Sequence, residues 1–153
     1  MRRMLLALMT VVAALPAAAQ FKTVPAEFHG KWVPVKATCE STTGMTVFAD
    51  RLTLFNGKDT ESIGGIEMAG PGFFPPGYRG IQAVAITEFN GQQPATATFD
   101  AGEKKGVATV EFAPIQPSSK PTPQLTAYNA RISKLSLGRR FPLHNVPLKR
   151  CPK

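Results

Sequence analysis

A chain of 153 residues, 43% of them apolar, has the material for one hydrophobic core and not for several. Its two cysteines and two histidines stand in no ligand spacing, which sets a metal centre aside. Eighteen basic residues against ten acidic ones give a net charge of +8, which points away from cationic partners and toward anionic ones.

Residues 1–19 carry the pattern of a secretory signal. Arg2 and Arg3 precede an apolar run, Met4 to Leu15, broken only by Thr10; Pro16 and the small residues Ala17, Ala18 and Ala19 follow as a cleavage site. The run is shorter than the roughly 20 residues that span a bilayer. No cysteine stands at the cleavage site to carry a lipid anchor. The alternative reading is a buried N-terminal helix. Cleavage leaves one domain, residues 20–153, and lowers the net charge to +6 because Arg2 and Arg3 leave with the signal. The expected product is a monomer, periplasmic or secreted, with no transmembrane segment. In such an oxidising space Cys39 and Cys151 are expected to form a disulfide that ties the chain end to its beginning; two separate thiols are the alternative.

Strand signals dominate the remainder. "GKWVPV" (30–35) opens the series, and "MTVFAD" (45–50) and "RLTLF" (51–55) follow so closely that they read as one long bent strand or two. Leu52 and Leu54 alternate with Thr53 and Phe55 at the period of a half-buried strand. Asn56-Gly57 predicts a type I′ hairpin turn. "DTESIGGIEM" (59–68) returns, with a bulge or bend expected at Gly64-Gly65. "IQAVAITEF" (81–89), "PATATFD" (94–100) and "VATVEF" (107–112) continue the meander, the last with Ala108, Val110 and Phe112 on one face. The four prolines of "PIQPSSKPTPQ" (114–124) mark a solvated connector. "LTAYNARISKL" (125–135) fits a strand with Thr126, Tyr128, Ala130 and Ile132 on one face, and fits a helix as well. The C-terminal "GRRFPLHNVPLKRCPK" has no period and is expected to be an ordered coil pinned by Cys151. The expected fold is all-β: a single antiparallel meander of seven or eight strands closing into a small barrel or sandwich, because closure removes exposed edges.

Gly30 and Trp32 on the first strand form a Gly-x-Trp that resembles the lipocalin and calycin signature. That resemblance implies a barrel in which the Trp closes one end and packs near a basic residue from a late strand, for which Arg131 and Lys134 are candidates. The same residues, followed by Cys39, also resemble the small periplasmic inhibitors of bacterial metalloproteases, which are eight-stranded barrels. The inhibitor family bridges its Cys to a nearby strand, whereas Cys151 lies at the far terminus. The Pro-rich connector and the stretch 69–80 have no counterpart in it. A plain core role for Trp32 fits either likeness.

Catalytic signals are missing: there is no nucleophile elbow, no cysteine beside a base and no phosphate-cradling glycine loop. His29 and His144 have no catalytic neighbours in the sequence. Asp59 and Glu61 share a face on a strand but sit among Lys58, Thr60 and Ser62, as in a solvated hairpin. The segment after Glu111 carries Lys120, Arg131, Lys134, Arg139, Arg140, Lys149, Arg150 and Lys153 and no carboxylate. It is a soluble cationic surface or a site for anionic envelope material; without interleaved aromatics it does not read as a nucleic-acid platform.

The stretch "AGPGFFPPGYRG" (69–80) puts Phe73, Phe74, Tyr78 and Arg79 on a backbone stiffened by Pro75-Pro76. Aromatic rings and an arginine on a preorganised loop are the materials of a binding hot spot; the alternative is a lid over the barrel. The function expected is therefore that of an exported, non-enzymatic binding or inhibitor-type protein without a cofactor. It would meet an envelope protein through this loop, aided by the free N-terminal segment 20–25. The alternatives are a calycin-like carrier of a small apolar or lipid ligand, and a cationic protein adhering to an anionic envelope component.

Overall fold

In the computed structural model, nine strand segments form one antiparallel sheet: β1 (Gly30–Pro34), β2 (Gly44–Val47), β3 (Arg51–Phe55), β4 (Thr60–Gly64), β5 (Ile66–Ala69), β6 (Ile81–Ala85), β7 (Ala95–Phe99), β8 (Val107–Phe112) and β9 (Leu148–Arg150). The structure describes residues 23–69, 81–85 and 94–152, and for 67–69 and 81–85 the backbone. The signal reading of residues 1–19 and the aromatic residues Phe73, Phe74, Tyr78 and Arg79 lie outside the described residues.

The sheet order is β4-β3-β2-β1-β9-β8-β7-β6-β5. Its two ends, β4 and β5, are halves of one chain segment bent at Gly65, whose φ of +68° suits glycine. The sheet therefore curls into a nearly closed barrel, with eight walls if the bent segment counts once. The bend expected at Gly64-Gly65 is thus the place where the two edges meet.

Parity explains why 45–55 is a hairpin and not one bent strand. Met45 and Val47 point inward; an unbroken strand would send Leu52 and Leu54 out. A tight turn, in which Phe48 N donates to Arg51 O at 3.0 Å, reverses the chain and pairs Val47 with Leu52 and Met45 with Leu54. All four are buried. The next hairpin is not a two-residue type I′ turn. Phe55 pairs with Thr60, which leaves a four-residue loop. Asn56 Oδ1 accepts from Lys58 N (2.8 Å) and Asp59 N (2.6 Å), and only Gly57 takes positive φ, +86°. A side chain that bonds its own turn replaces the second left-handed residue.

The ambiguous segment is a helix, α1 (Pro123–Leu135). Thr122 caps it, its Oγ1 accepting from Leu125 N at 3.2 Å, and Pro123 sits at the first helical position, where its missing N–H costs nothing. Tyr128, Ile132 and Leu135 recur at helical spacing; Tyr128 is buried and Leu135 packs on the core. Connector 114–122 is exposed, as expected. The C-terminal tail is only partly irregular: it holds a short helix, α2 (Leu137–Arg140), and then inserts β9 between β1 and β8.

The inner faces form one contiguous apolar cluster. Trp32, Met45, Val47, Leu52, Leu54, Ala97, Phe99, Ala108, Val110 and Leu148 are all essentially inaccessible. Close packing reaches the backbone at Gly44, where an added Cβ would collide with the Trp32 carbonyl and lie 2.9 Å from Phe55 Cζ. Gly44→Ala is therefore expected to destabilise by about 1–3 kcal/mol, the usual range for overpacking. Gly64→Ala meets nothing within 4 Å. It should leave the urea midpoint within a few tenths molar of wild type, so the pair of variants isolates the steric effect.

Candidate functional site

At each end of the barrel, described residues of the chain fold over the core. At one, a single 3-10 turn (Ala26–Phe28) lays Phe28 on Phe99, with ring centroids 4.8 Å apart, and Trp32 stands 5.4 Å from the same ring. Trp32 Nε1 donates to Phe28 O at 2.8 Å, so the indole has its one polar need met inside the core. Val24 is buried and donates its N–H to Ala49 O at 2.9 Å. The segment expected to be free is fixed at least from that point.

The residue opposite Trp32 on β9 is Arg150, whose guanidinium donates to Glu27 O in the 3-10 turn. The basic residue of a late strand that stands opposite Trp32 is thus Arg150, and neither Arg131 nor Lys134. Arg131 and Lys134 are exposed on α1. Reading the tail as coil hid Arg150, since a cross-strand neighbour exists only once β9 is a strand.

At the opposite end the tail folds over the core. Phe141 and Leu143 are fully buried in the core cluster. Arg140 bridges the mouth: its Nη1 lies 2.8 Å from Glu61 Oε2 and its Nε 3.2 Å from Asp59 Oδ2, while its carbonyl accepts from Asn56 Nδ2. The hydrogen bonds that Arg140 donates to Glu61 and then to Asp59 raise its pKa above the ordinary value. Asp59 ends the loop before β4 and Glu61 lies on β4, and the structure gives both a structural partner in Arg140. No signal along the sequence links positions about eighty residues apart.

Cys39 and Cys151 are bonded, with Cα atoms 5.6 Å apart across 112 residues of chain. The bond is flanked by Lys31, whose Nζ donates to Cys39 O (2.7 Å) and whose carbonyl accepts from Cys151 N (2.8 Å). It ties the loop after β1 to the end of β9. A disulfide fits an oxidising compartment, and no described helix is long and apolar enough to cross a membrane.

The histidines are apart and separately engaged. His29 Nε2 donates to Val24 O at 2.7 Å, and His144 Nδ1 accepts from Phe112 N at 2.9 Å. Of the C-terminal cations, Arg140 and Arg150 are taken up in these internal contacts, whereas Lys120, Arg131, Lys134 and Arg139 are exposed.

The outer wall carries a groove of about 730 Å³. It is lined by Pro34, Val35 and Lys36 at the exit of β1 and by Val146 and Pro147 before β9. The outward residues of β8, Val107 and Thr109, and the turn 101–104 complete it. Sequence reading missed it because its members come from four separate segments, none of them distinctive alone. Comparison of the chain with family models, with curated proteins and with solved structures finds no match in any of the three.

Proposed function

We propose that this is an exported, disulfide-locked barrel that acts by surface contact with another protein, as a binding or inhibitor-type module and not as an enzyme. In this reading Phe73, Phe74, Tyr78 and Arg79 carry the contact. The observation that supports it is the state of the barrel. Its described inner face is filled, since fully buried side chains border no space that water could enter, and the tail and the 3-10 turn each send buried rings into the core at its ends. A core already covered at its ends by Phe28, Trp32, Phe141 and Leu143 has no need of aromatic rings as a lid. A filled interior also weighs against a carrier that would hold its ligand inside, because such a site takes roughly 300 Å³ or more. The lipocalin-like or metalloprotease-inhibitor-like kinship draws support from the pairing of Trp32 with Arg150.

The test replaces Phe73, Phe74 and Tyr78 together by Ser. The melting temperature is expected to stay within a few degrees of wild type, while retention of a partner from envelope extract falls at least about tenfold. A drop of ten degrees or more would mean that the rings belong to the core, and undiminished retention would place the contact elsewhere.

A further inference from the structure

We propose that the outer groove binds the acyl chain of a single-chain anionic amphiphile, a fatty carboxylate, with its headgroup held between Lys36 and Lys104. None of the groove's lining residues belongs to the contact loop, and the groove lies outside the barrel wall and not in its interior.

The argument begins with a local conflict. Val35 follows β1 and is 44% exposed, one of few large apolar side chains left so open among the described residues. It is not an isolated exposed residue of the ordinary kind. Pro34, Val107, Val146, Pro147 and Ala101 gather around the same space, which is in the size range of small-molecule sites. The backbone there offers little hydrogen bonding: Pro34 and Pro147 lack N–H groups, and the Val35 N–H is already given to Pro147 O at 3.0 Å. Such walls suit a chain of methylenes better than a sugar or a peptide, which would need donors and acceptors.

Charge then selects the headgroup. Lys36 and Lys104 line the groove, and no carboxylate does. Neither lysine's ammonium group is in an ion pair or hydrogen bond among the described residues. Lys149 pairs in register with Val107 and so faces the same side of the sheet. The nearest acidic residues in sequence are Glu40 for Lys36, and Asp100 and Glu103 for Lys104; Asp100 accepts from Gly106 N at 2.8 Å, and none of the three lines the groove. An apolar trough with unpaired ammonium groups complements a carboxylate on an alkyl chain, and it disfavours a cationic or neutral head.

The probe is dodecanoate, titrated below its micelle onset into the full mature protein and followed by calorimetry and by backbone amide shifts. Saturable binding is expected, with the largest shifts at Val35, Val107 and Val146 and unchanged emission from the single tryptophan, Trp32, in the core. Lys36→Glu with Lys104→Glu should weaken binding at least about tenfold, and Val35→Asp likewise; these positions are exposed or on the rim, and unchanged melting curves would confirm the fold. Dodecanol and dodecyltrimethylammonium should bind at least about tenfold more weakly than dodecanoate, and acetate not measurably. The Phe73/Phe74/Tyr78 Ser variant should bind dodecanoate as wild type does, which separates this site from the proposed protein contact. Absence of saturable binding, equal binding of the cationic analogue, insensitivity to the lysine reversals, or shifts centred on Trp32 and Phe99 would each overturn the proposal.

Discussion

Replacing Cys39 and Cys151 together by Ser is expected to cost about 4–5 kcal/mol of stability. The bond closes a loop of 112 residues, and the chain-entropy treatment assigns about that much to a loop of this length. The location argues that the full amount will appear. β9 is only three residues long, Leu148–Arg150, and it holds β1 through three register pairs and β8 through two. Prolines on both sides, Pro147 and Pro152, prevent it from extending. This is the seam between the two halves of the sheet, β1–β4 and β5–β8, distinct from the meeting of its edges at Gly65, and the disulfide is its covalent clasp. Freeing Cys151 lets β9 leave, which exposes Leu148 and uncovers the facing edges of β1 and β8. Small domains have only about 5–15 kcal/mol in hand, so the serine variant should be largely unfolded at modest urea concentrations. Equilibrium urea unfolding of the double variant and the oxidised protein measures this. A difference below about 1 kcal/mol would mean that strand pairing and core contacts hold the seam alone.

How far the sequence discloses this architecture depends on the range over which each feature is determined. The alternation at Leu52 and Leu54, and at Ala108, Val110 and Phe112, is local, and those residues do point inward. The all-β meander, the bend at Gly64-Gly65 and the Cys39–Cys151 bond could likewise be read ahead of the structure. The parity break between Val47 and Leu52 was also legible: it contains enough information to require a turn, if the inward positions are counted across the junction. Thr122-Pro123 is a cap-and-first-turn signal that favours helix over strand for 123–135, although alternation at Tyr128 and Ile132 suggested the opposite. The remaining features are long-range. β9 reads as coil because three residues between prolines acquire strand geometry only from the neighbours β1 and β8. Arg150 becomes the partner of the first-strand Trp only through that pairing. Arg140 finds Asp59 and Glu61 across the mouth, and the outer groove is assembled from four segments. Local pattern thus accounts for walls and turns, while the seam, the closures and the groove emerge from closure of the sheet.

Trp32→Ala separates the two pictures of the barrel, filled or hollow. In a filled barrel it removes the largest inner side chain, its contact with Phe99 and its hydrogen bond to Phe28 O. The loss should be about 3–5 kcal/mol, as for other large-to-small changes in close-packed cores. In a hollow carrier the same indole would line empty space and its truncation would cost far less. Trp32→Phe refines the result: it keeps most of the ring but leaves the Phe28 carbonyl unpaired inside, so it should fall between wild type and Ala, at about 1–3 kcal/mol. Arg150→Ala adds the test of kinship. Its guanidinium holds the same 3-10 turn that Trp32 holds from within, through Glu27 O and Phe28 O. The two losses should therefore be non-additive in a double-mutant cycle. Additive losses would reduce Gly30-Lys31-Trp32 to a chance spacing around an ordinary core residue. A Trp32→Ala loss below about 1.5 kcal/mol would restore the interior as a place for ligand and remove the main support for a protein that works only from its surface.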